Sequence, residues 1–155
     1  MISFNIGNTS AFFLLDIIDA LCAEGWMQTA HFESTPDWEY VLSSASNYTH
    51  LLLVAADGAA PIGWCRLFPT ETLGKGELGI GLLKSYRNQG LGTQLTQQAI
   101  NWAAVHGFTL ITLTTREDNI RAIHVFEKCD FVCTGKHEGV WLEMVRAIGE
   151  SGNDD

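Results

Sequence analysis

Positive charge is scarce in this chain. Nine Lys and Arg stand against eighteen Asp and Glu, a formal net charge of −9. That balance excludes general nucleic-acid binding, whose affinity is carried by many Lys and Arg contacts to phosphate. It leaves room for one small anion in a local site, and a negative surface favours cationic partners such as amines. Paired cysteines are also lacking. Cys22, Cys65, Cys129 and Cys133 include no CxxC spacing, and 155 residues bury a core without disulfide staples. The expectation is reduced thiols, mostly in the core, in a cytoplasmic protein. No hydrophobic run has membrane-spanning length, so no membrane partner is expected. The apolar stretch AFFLLDIIDALCA is interrupted by Asp16 and Asp19 with no basic segment before it, and reads as an amphipathic helix rather than a signal peptide. His31, His50, His106, His124 and His137 show no metal-ligand spacing, so no metal is expected. No repeat, low-complexity run or linker interrupts the chain. A single domain over residues 1–148 is expected, followed by a disordered acidic tail at 149–155.

What is present is an alternation of strand and helix patterns. ISFNI suits a first strand. Leu14, Ile17, Ile18 and Leu21 share one face of a helix with Thr9 or Ser10 as N-cap and Gly25 as a stop. STPDWEYVLSSA predicts a second, short helix with Pro36 in its first turn. THLLLVAADGAAPIGWCRLF predicts a hairpin turning in its Gly- and Pro-containing middle. GELGIGLL is a further strand. GLGTQLTQQAINWAAVHG is a helix with Leu91, Leu95, Ala99, Trp102 and Ala103 on its apolar side and Gly107 at its end. TLITLTT is a strand, DNIRAIHVFEKCD a helix capped by Asp118 or Asn119, and FVCTG and GVWLEMVRAI are closing strands. Three consecutive strands followed by a βαβ unit imply an α/β fold: a mixed sheet with helices on both faces.

The stretch LLKSYRNQGLGTQL concentrates the chemistry. Gly90 and Gly92 fall between a strand and a long helix. A helix N-terminus offers unpaired N–H groups and a partial positive charge, and glycines there let a phosphate reach the backbone. A dinucleotide-binding GxGxxG fails, because a start at Gly79 puts Lys84 where the last glycine belongs. A P-loop fails because neither glycine is followed by Lys and then Ser or Thr. The same two glycines would also serve a bare strand-to-helix turn.

Here the chain resembles the GCN5-related N-acetyltransferase (GNAT) family. Its signature, Arg or Gln, two residues, Gly, one residue, Gly or Ala, is matched by Arg87, Gly90 and Gly92. Downstream, NIRAIHVFEKCDF resembles the family's second signature, Asn, then Ala-Ile, then Tyr-Glu-Lys-Leu-Gly-Phe. The resemblance covers residues 50–146 well and the preceding helices by order only. It implies a mostly antiparallel central sheet with helices on both faces, and acetyl-coenzyme A as co-substrate. Carried over by position, Arg87, Asn88, Gln89, Gly90, Leu91 and Gly92 wrap the pyrophosphate, with Thr93 just inside the helix. The backbone of Leu82 and Leu83 pairs with the pantetheine as an added strand would. Asn119 holds the pantetheine arm, and Lys128 lies towards the nucleotide end.

The implied reaction is direct attack of a neutral amine on a thioester in a ternary complex. Glu77 is the candidate base, on a strand face shared with Gly79 and Gly81, where a carboxylate beside two glycines leaves room for substrate. A surface or cation-recognising glutamate is the alternative. A backbone N–H near Leu82 is the candidate oxyanion donor. The match breaks at Phe126, where the family usually has a tyrosine that protonates the leaving thiolate, and at Asp130, where it has glycine. His124, two residues away, points to another helix face, while Cys129 lies nearer the same face with the core as its expected place. Tyr40, Tyr48 or water are further proton sources. The aromatic and acidic stretch GWMQTAHFESTPDWEY suits a cationic amine, small molecule or protein. The resemblance admits a homodimer. The competing reading is a non-catalytic acyl-coenzyme A binding module that has lost its general acid.

Overall fold

The computed structural model describes residues 2–6, 18, 20–25 and 50–149. Among them, seven strands form one sheet: β1 (Ile2–Ile6), β2 (Leu51–Asp57), β3 (Ala60–Pro69), β4 (Lys75–Leu82), β5 (Leu110–Arg116), β6 (Val132–Glu138) and β7 (Trp141–Ala147). Their spatial order is β1-β2-β3-β4-β5-β7-β6. Two helices, α1 (Leu91–Val105) and α2 (Ile120–Lys128), flank β5 in sequence, and Ile18 and residues 20–22 are also helical. Every neighbouring pair is antiparallel except β4 and β5. The sheet is therefore mixed and mostly antiparallel, as expected. The expected second helix, the Thr9 or Ser10 cap and residues 150–155 of the tail lie outside the described residues. Among those described, no helix is long and apolar enough to cross a membrane.

Strand alternation sorts the core into two layers. Leu51, Leu53 and Ala55 of β2 join Leu91, Leu95, Ala99 and Ala103 of α1 and Phe126 of α2 on one face. Leu52 and Val54 turn to the other face, where Trp64 packs with Ile18, Leu21 and Cys22. Helical residues thus cover both faces. Burying a leucine such as Leu95, wholly enclosed here, stabilises the fold by about 1.5–3 kcal/mol. Cys22, Cys65 and Cys129 are buried, Cys133 is exposed, and none is in a disulfide.

The hairpin forms, but its turn is Gly58-Ala59 and excludes the proline. Pro61 lies within β3 at a bulge: Ala55 pairs with Gly63 and Ala56 with Pro61, leaving Ile62 extra. A residue with no N–H is tolerated where the ladder is interrupted. A second irregularity lies at the sheet edge. β6 pairs with β7 at Cys133↔Met144 and again at His137↔Leu142, with a register shift between and Gly135 at φ 90°.

Both helices end in the same way. Past Val105, Gly107 takes φ 87° and Phe108 N–H donates to the Ala103 carbonyl at 3.2 Å. At the end of α2, Asp130 N–H donates to Glu127 O at 3.0 Å and Phe131 N–H to Phe126 O at 3.0 Å. This is a Schellman closure, completed by the Phe126 and Phe131 rings at 5.8 Å. It requires Asp130 to adopt φ 69°, the left-handed region in which glycine is at ease and a side chain is strained by about 1 kcal/mol. The Asp130 carboxylate lies 3.9 Å from the Arg146 guanidinium but is largely exposed, so this pair returns little. Asp130→Gly is therefore expected to stabilise the protein by about 0.5–1 kcal/mol, after allowing for the greater chain entropy glycine loses on folding. The urea midpoint measures it; an unchanged or lower midpoint would show that the Arg146 contact outweighs the strain.

Candidate active site

The site begins where two strands separate. β4 and β5 pair only at Lys75↔Leu110, Gly76↔Ile111 and Glu77↔Thr112. β4 continues beside β3 to Leu82↔Gly63, and β5 beside β7 to Arg116↔Trp141. Between them lies a cleft of about 780 Å³ reaching both faces of the sheet. Backbone direction follows from the ladder. Leu83 N–H donates to Ile62 O at 2.8 Å, so the Leu82 and Gly63 pair is non-hydrogen-bonded and the Leu82 N–H and C=O point away from β3, into the cleft. The same alternation turns Ile80 into the cleft. Leu83 departs from expectation: its N–H is held by Ile62 and its carbonyl accepts from Tyr86 N–H at 2.9 Å. Its backbone is engaged on both sides, so the strand-like edge open to a ligand is Ile80 and the Leu82 N–H, the Leu82 carbonyl being held by Arg87.

At one end of the cleft, the turn into α1 presents its N–H groups. Asn88 and Gly90 take φ 62° and 82°, an arrangement that gathers successive N–H groups into an anion-sized concavity. Gln94 N–H bonds to Gly90 O at 3.1 Å, so the N–H groups of Leu91, Gly92 and Thr93 precede the first intrahelical bond. Leu91 is anchored in the core by its side chain. Gln89 bonds back to Ser85 O at 3.0 Å. A Cβ on Gly92 would meet Val125 at an ordinary 3.6 Å, so packing does not demand this glycine.

Arg87 is turned inward rather than extended. Its Nε donates to Leu82 O at 3.0 Å and its Nη2 contacts Glu24 Oε1 at 2.7 Å, leaving the side chain 12% exposed. Arg121 lies near the same pair: burial and then the Arg87 charge lower its guanidinium from the usual value, with Glu24 opposing. Asn119 caps α2, its Oδ1 accepting from Ala122 N–H at 3.3 Å. That leaves the side-chain amide donor at the cleft wall, which Asn119 lines. Lys128 lines the same wall, with His124.

At the other end sits Glu77, exposed, at the last paired position before the strands part. Leu78 is buried in the α1-side core with Ile80 and Leu82 packed beside it, so Glu77, Gly79 and Gly81 share the opposite face as alternation required. The room expected beside the two glycines is filled from β3. A Cβ on Gly81 would collide with the Trp64 ring, and one on Gly79 would come within 2.9 Å of Arg66 Nε. The glycines therefore let Trp64 and Arg66 lie flat across β4.

Phe126 lines the cleft as an aromatic wall and is only 5% exposed. Cys129 is held in the core, its Sγ 3.8 Å from Thr93 O, and burial followed by the Asp130 charge pushes its thiol up. Tyr40, Tyr48 and residues 26–40 of the aromatic stretch lie outside the described residues. No group of three His, Cys, Asp or Glu among those described is placed to hold a metal. Sequence reasoning missed Glu24, Trp64, Arg66 and Arg121. The strand register is the signal that finds Trp64 and Arg66, since it pairs them with Gly81 and Gly79.

Comparison with known proteins agrees with this architecture. A 53-residue stretch is 40% identical to streptothricin acetyltransferase A of Bacillus subtilis, covering 34% of this chain and about a third, 31%, of that protein. An acetyltransferase of the GNAT family from Streptococcus pneumoniae superimposes with a TM-score of 0.82 at 21% identity, over 96% of this chain and all, 100%, of the other. A phosphinothricin acetyltransferase of Sinorhizobium meliloti, determined in complex with acetyl-coenzyme A, gives 0.80 at 17% identity, over 97% and 90%. The profile of the Acetyltransferase (GNAT) family matches residues 13–131. With that match across most of its length, and a sheet that parts beyond Glu77 beside an N–H-lined turn, the chain belongs to the GNAT acetyltransferase family.

Proposed function

We propose that this protein is an N-acetyltransferase that moves the acetyl group of acetyl-coenzyme A to a primary amine by direct attack in a ternary complex. The observation that carries this reading is one cleft joining the N–H groups before α1 to Glu77 through the gap between β4 and β5. In it, the turn from Arg87 to Thr93 receives the pyrophosphate. Ile80 offers its backbone groups to the pantetheine, the Leu82 N–H lies beside the thioester, and the Asn119 amide steadies the arm. Arg87 keeps the end of β4 in place through Leu82 O. Lys128 and Arg121 add positive charge towards the phosphates.

Acyl transfer forms a C–N bond and breaks the C–S bond. Glu77 takes the amine proton, directly or through a water, a role that contributes about 10²–10⁴-fold. The Leu82 N–H, aimed into the gap, stabilises negative charge developing on the carbonyl oxygen; a single such donor contributes about 10²–10³-fold. Phe126 shapes the wall and has no proton to give, so the thiolate departs unaided or takes a proton from solvent. That absence keeps a binding-only module as the second reading.

Gly92→Val is expected to leave the fold intact, because a Cβ there makes only ordinary contacts with Val125 and Leu82, while weakening acetyl-coenzyme A at least about tenfold, or 1.4 kcal/mol. Calorimetry on the folded variant measures it, and wild-type affinity would remove the turn from the binding site. Glu77→Gln should cut turnover roughly a hundredfold with cofactor affinity unchanged; undiminished turnover across the pH profile would reduce Glu77 to a surface residue. Phe126→Tyr should speed single-turnover acetyl transfer where chemistry limits the rate. A rate at or below wild type, at unchanged cofactor affinity, would show that Phe126 marks no missing acid, and thiol release from neither protein over an amine panel would favour the binding module.

A further inference from the structure

One acidic side chain stands among the groups that face the phosphates. Glu24 lines the cleft together with Arg87, Arg121 and the turn before α1. A carboxylate in a space that receives an anion works against binding, so its use lies elsewhere. Its place is fixed by the chain around it. Leu21 and Cys22 are buried against Trp64. The Glu24 and Gly25 N–H groups close the helical turn onto Leu21 O and Cys22 O, each at 3.2 Å, and Gly25 takes φ 89°. Leu21 also rests on β4, since a Cβ on Gly81 would come within 3.1 Å of its Cδ1. The carboxylate thus projects from a core-anchored segment lying over the end of β4.

From there a chain of contacts runs to the reacting centre. Arg87 Nη2 donates to Glu24 Oε1 at 2.7 Å, and Arg87 Nε donates to Leu82 O at 3.0 Å. A planar guanidinium held at two nitrogens has little freedom to turn, and these side chains are only 12% and 33% exposed for Arg87 and Glu24. The peptide joining Leu82 to Leu83 is therefore clamped at both ends: its oxygen by Arg87, its N–H by Ile62 O at 2.8 Å. That clamp fixes the stretch of β4 from which the Leu82 N–H points into the gap. We propose that Glu24 is a positioning residue for acetyl transfer: acting through Arg87, it keeps the Leu82 N–H directed at the thioester carbonyl, while its charge weakens coenzyme binding. The inference rests on the acetyl-transfer reading for the role of the Leu82 N–H, while the relay from Glu24 through Arg87 to Leu82 stands on its own contacts.

The test compares Glu24→Ala with the neutral Glu24→Gln, whose amide oxygen still accepts from Arg87, and with Glu24→Asp, which keeps the charge and loses the reach. Single-turnover thiol release from acetyl-coenzyme A is measured with n-butylamine, glycinamide and a lysine peptide, and coenzyme A affinity by calorimetry. Glu24→Ala should slow transfer at least about tenfold, since a small misplacement at a reacting centre costs up to about a hundredfold. The same variant should bind coenzyme A about two- to fivefold more tightly at low salt, a repulsive charge being gone. Glu24→Gln should recover transfer to within about threefold of wild type and keep the tighter binding. Glu24→Asp should transfer slowly with wild-type affinity. In an Arg87→Gln background, Glu24→Ala should change the rate by less than about twofold. Wild-type transfer in Glu24→Ala, loss of transfer and binding together in all three variants, or an undiminished effect of Glu24→Ala without Arg87 would overturn the proposal. If wild type releases no thiol with any of these amines, the acetyl-transfer reading fails, and the Leu82 amide resonance decides the relay. A shift of that resonance in Glu24→Ala that Glu24→Gln reverses upholds the relay; an unmoved resonance overturns it.

Discussion

Everything at this site depends on the brevity of the β4–β5 pairing. Three residue pairs hold the two halves of the sheet together at Lys75, Gly76 and Glu77, after which each strand keeps only its outer neighbour. Leaving backbone groups without ladder partners costs stability where water cannot reach them. The protein meets part of that cost internally, through Arg87 on the Leu82 carbonyl. The rest is an open strand edge along β4, facing the cleft. The opening also gives Glu77 its place, at the last shared rung, and lets one cleft touch both faces of the sheet.

Much of this was legible in the residues. The spacing of Arg87, Gly90 and Gly92 located the turn before α1, and the alternation of Glu77, Gly79 and Gly81 correctly set them opposite Leu78, Ile80 and Leu82. Of the two caps the sequence offered, Asp118 and Asn119, it is Asn119 that caps the helix. What escaped is information that exists only across strands. That Arg66 and Trp64 fill the space above the two glycines follows from a β3–β4 register that no local pattern specifies. The same ladder turns Leu83 away from the cleft and Ile80 into it, and strand length alone could not choose between neighbours. Pro61 misled for a related reason: proline usually marks a turn, but a bulge supplies another place where its missing N–H does no harm.

The charge distribution has a purpose that the net value hides. Of the nine Lys and Arg in the chain, Arg66, Arg87, Arg121 and Lys128 line the cleft. An acidic exterior around a basic interior confines attraction for anions to one region, where low-dielectric walls concentrate the field. Glu24 moderates it by holding Arg87 and offsetting Arg121. The positive charge is thereby distributed along the cleft's length rather than gathered at one phosphate-sized point.

The irregular pairing of β6 bears on a different matter, the solubility of the folded chain. β6 closes the sheet on one side with every residue exposed, Val132 among them. An even ribbon there would be a template on which copies of the protein could add strand to strand. The register shift between Cys133 and His137, the left-handed Gly135 and the Lys136 beside it break that ribbon in its middle. The β6 edge is thus too uneven and too charged to serve as a regular template for another copy of the chain.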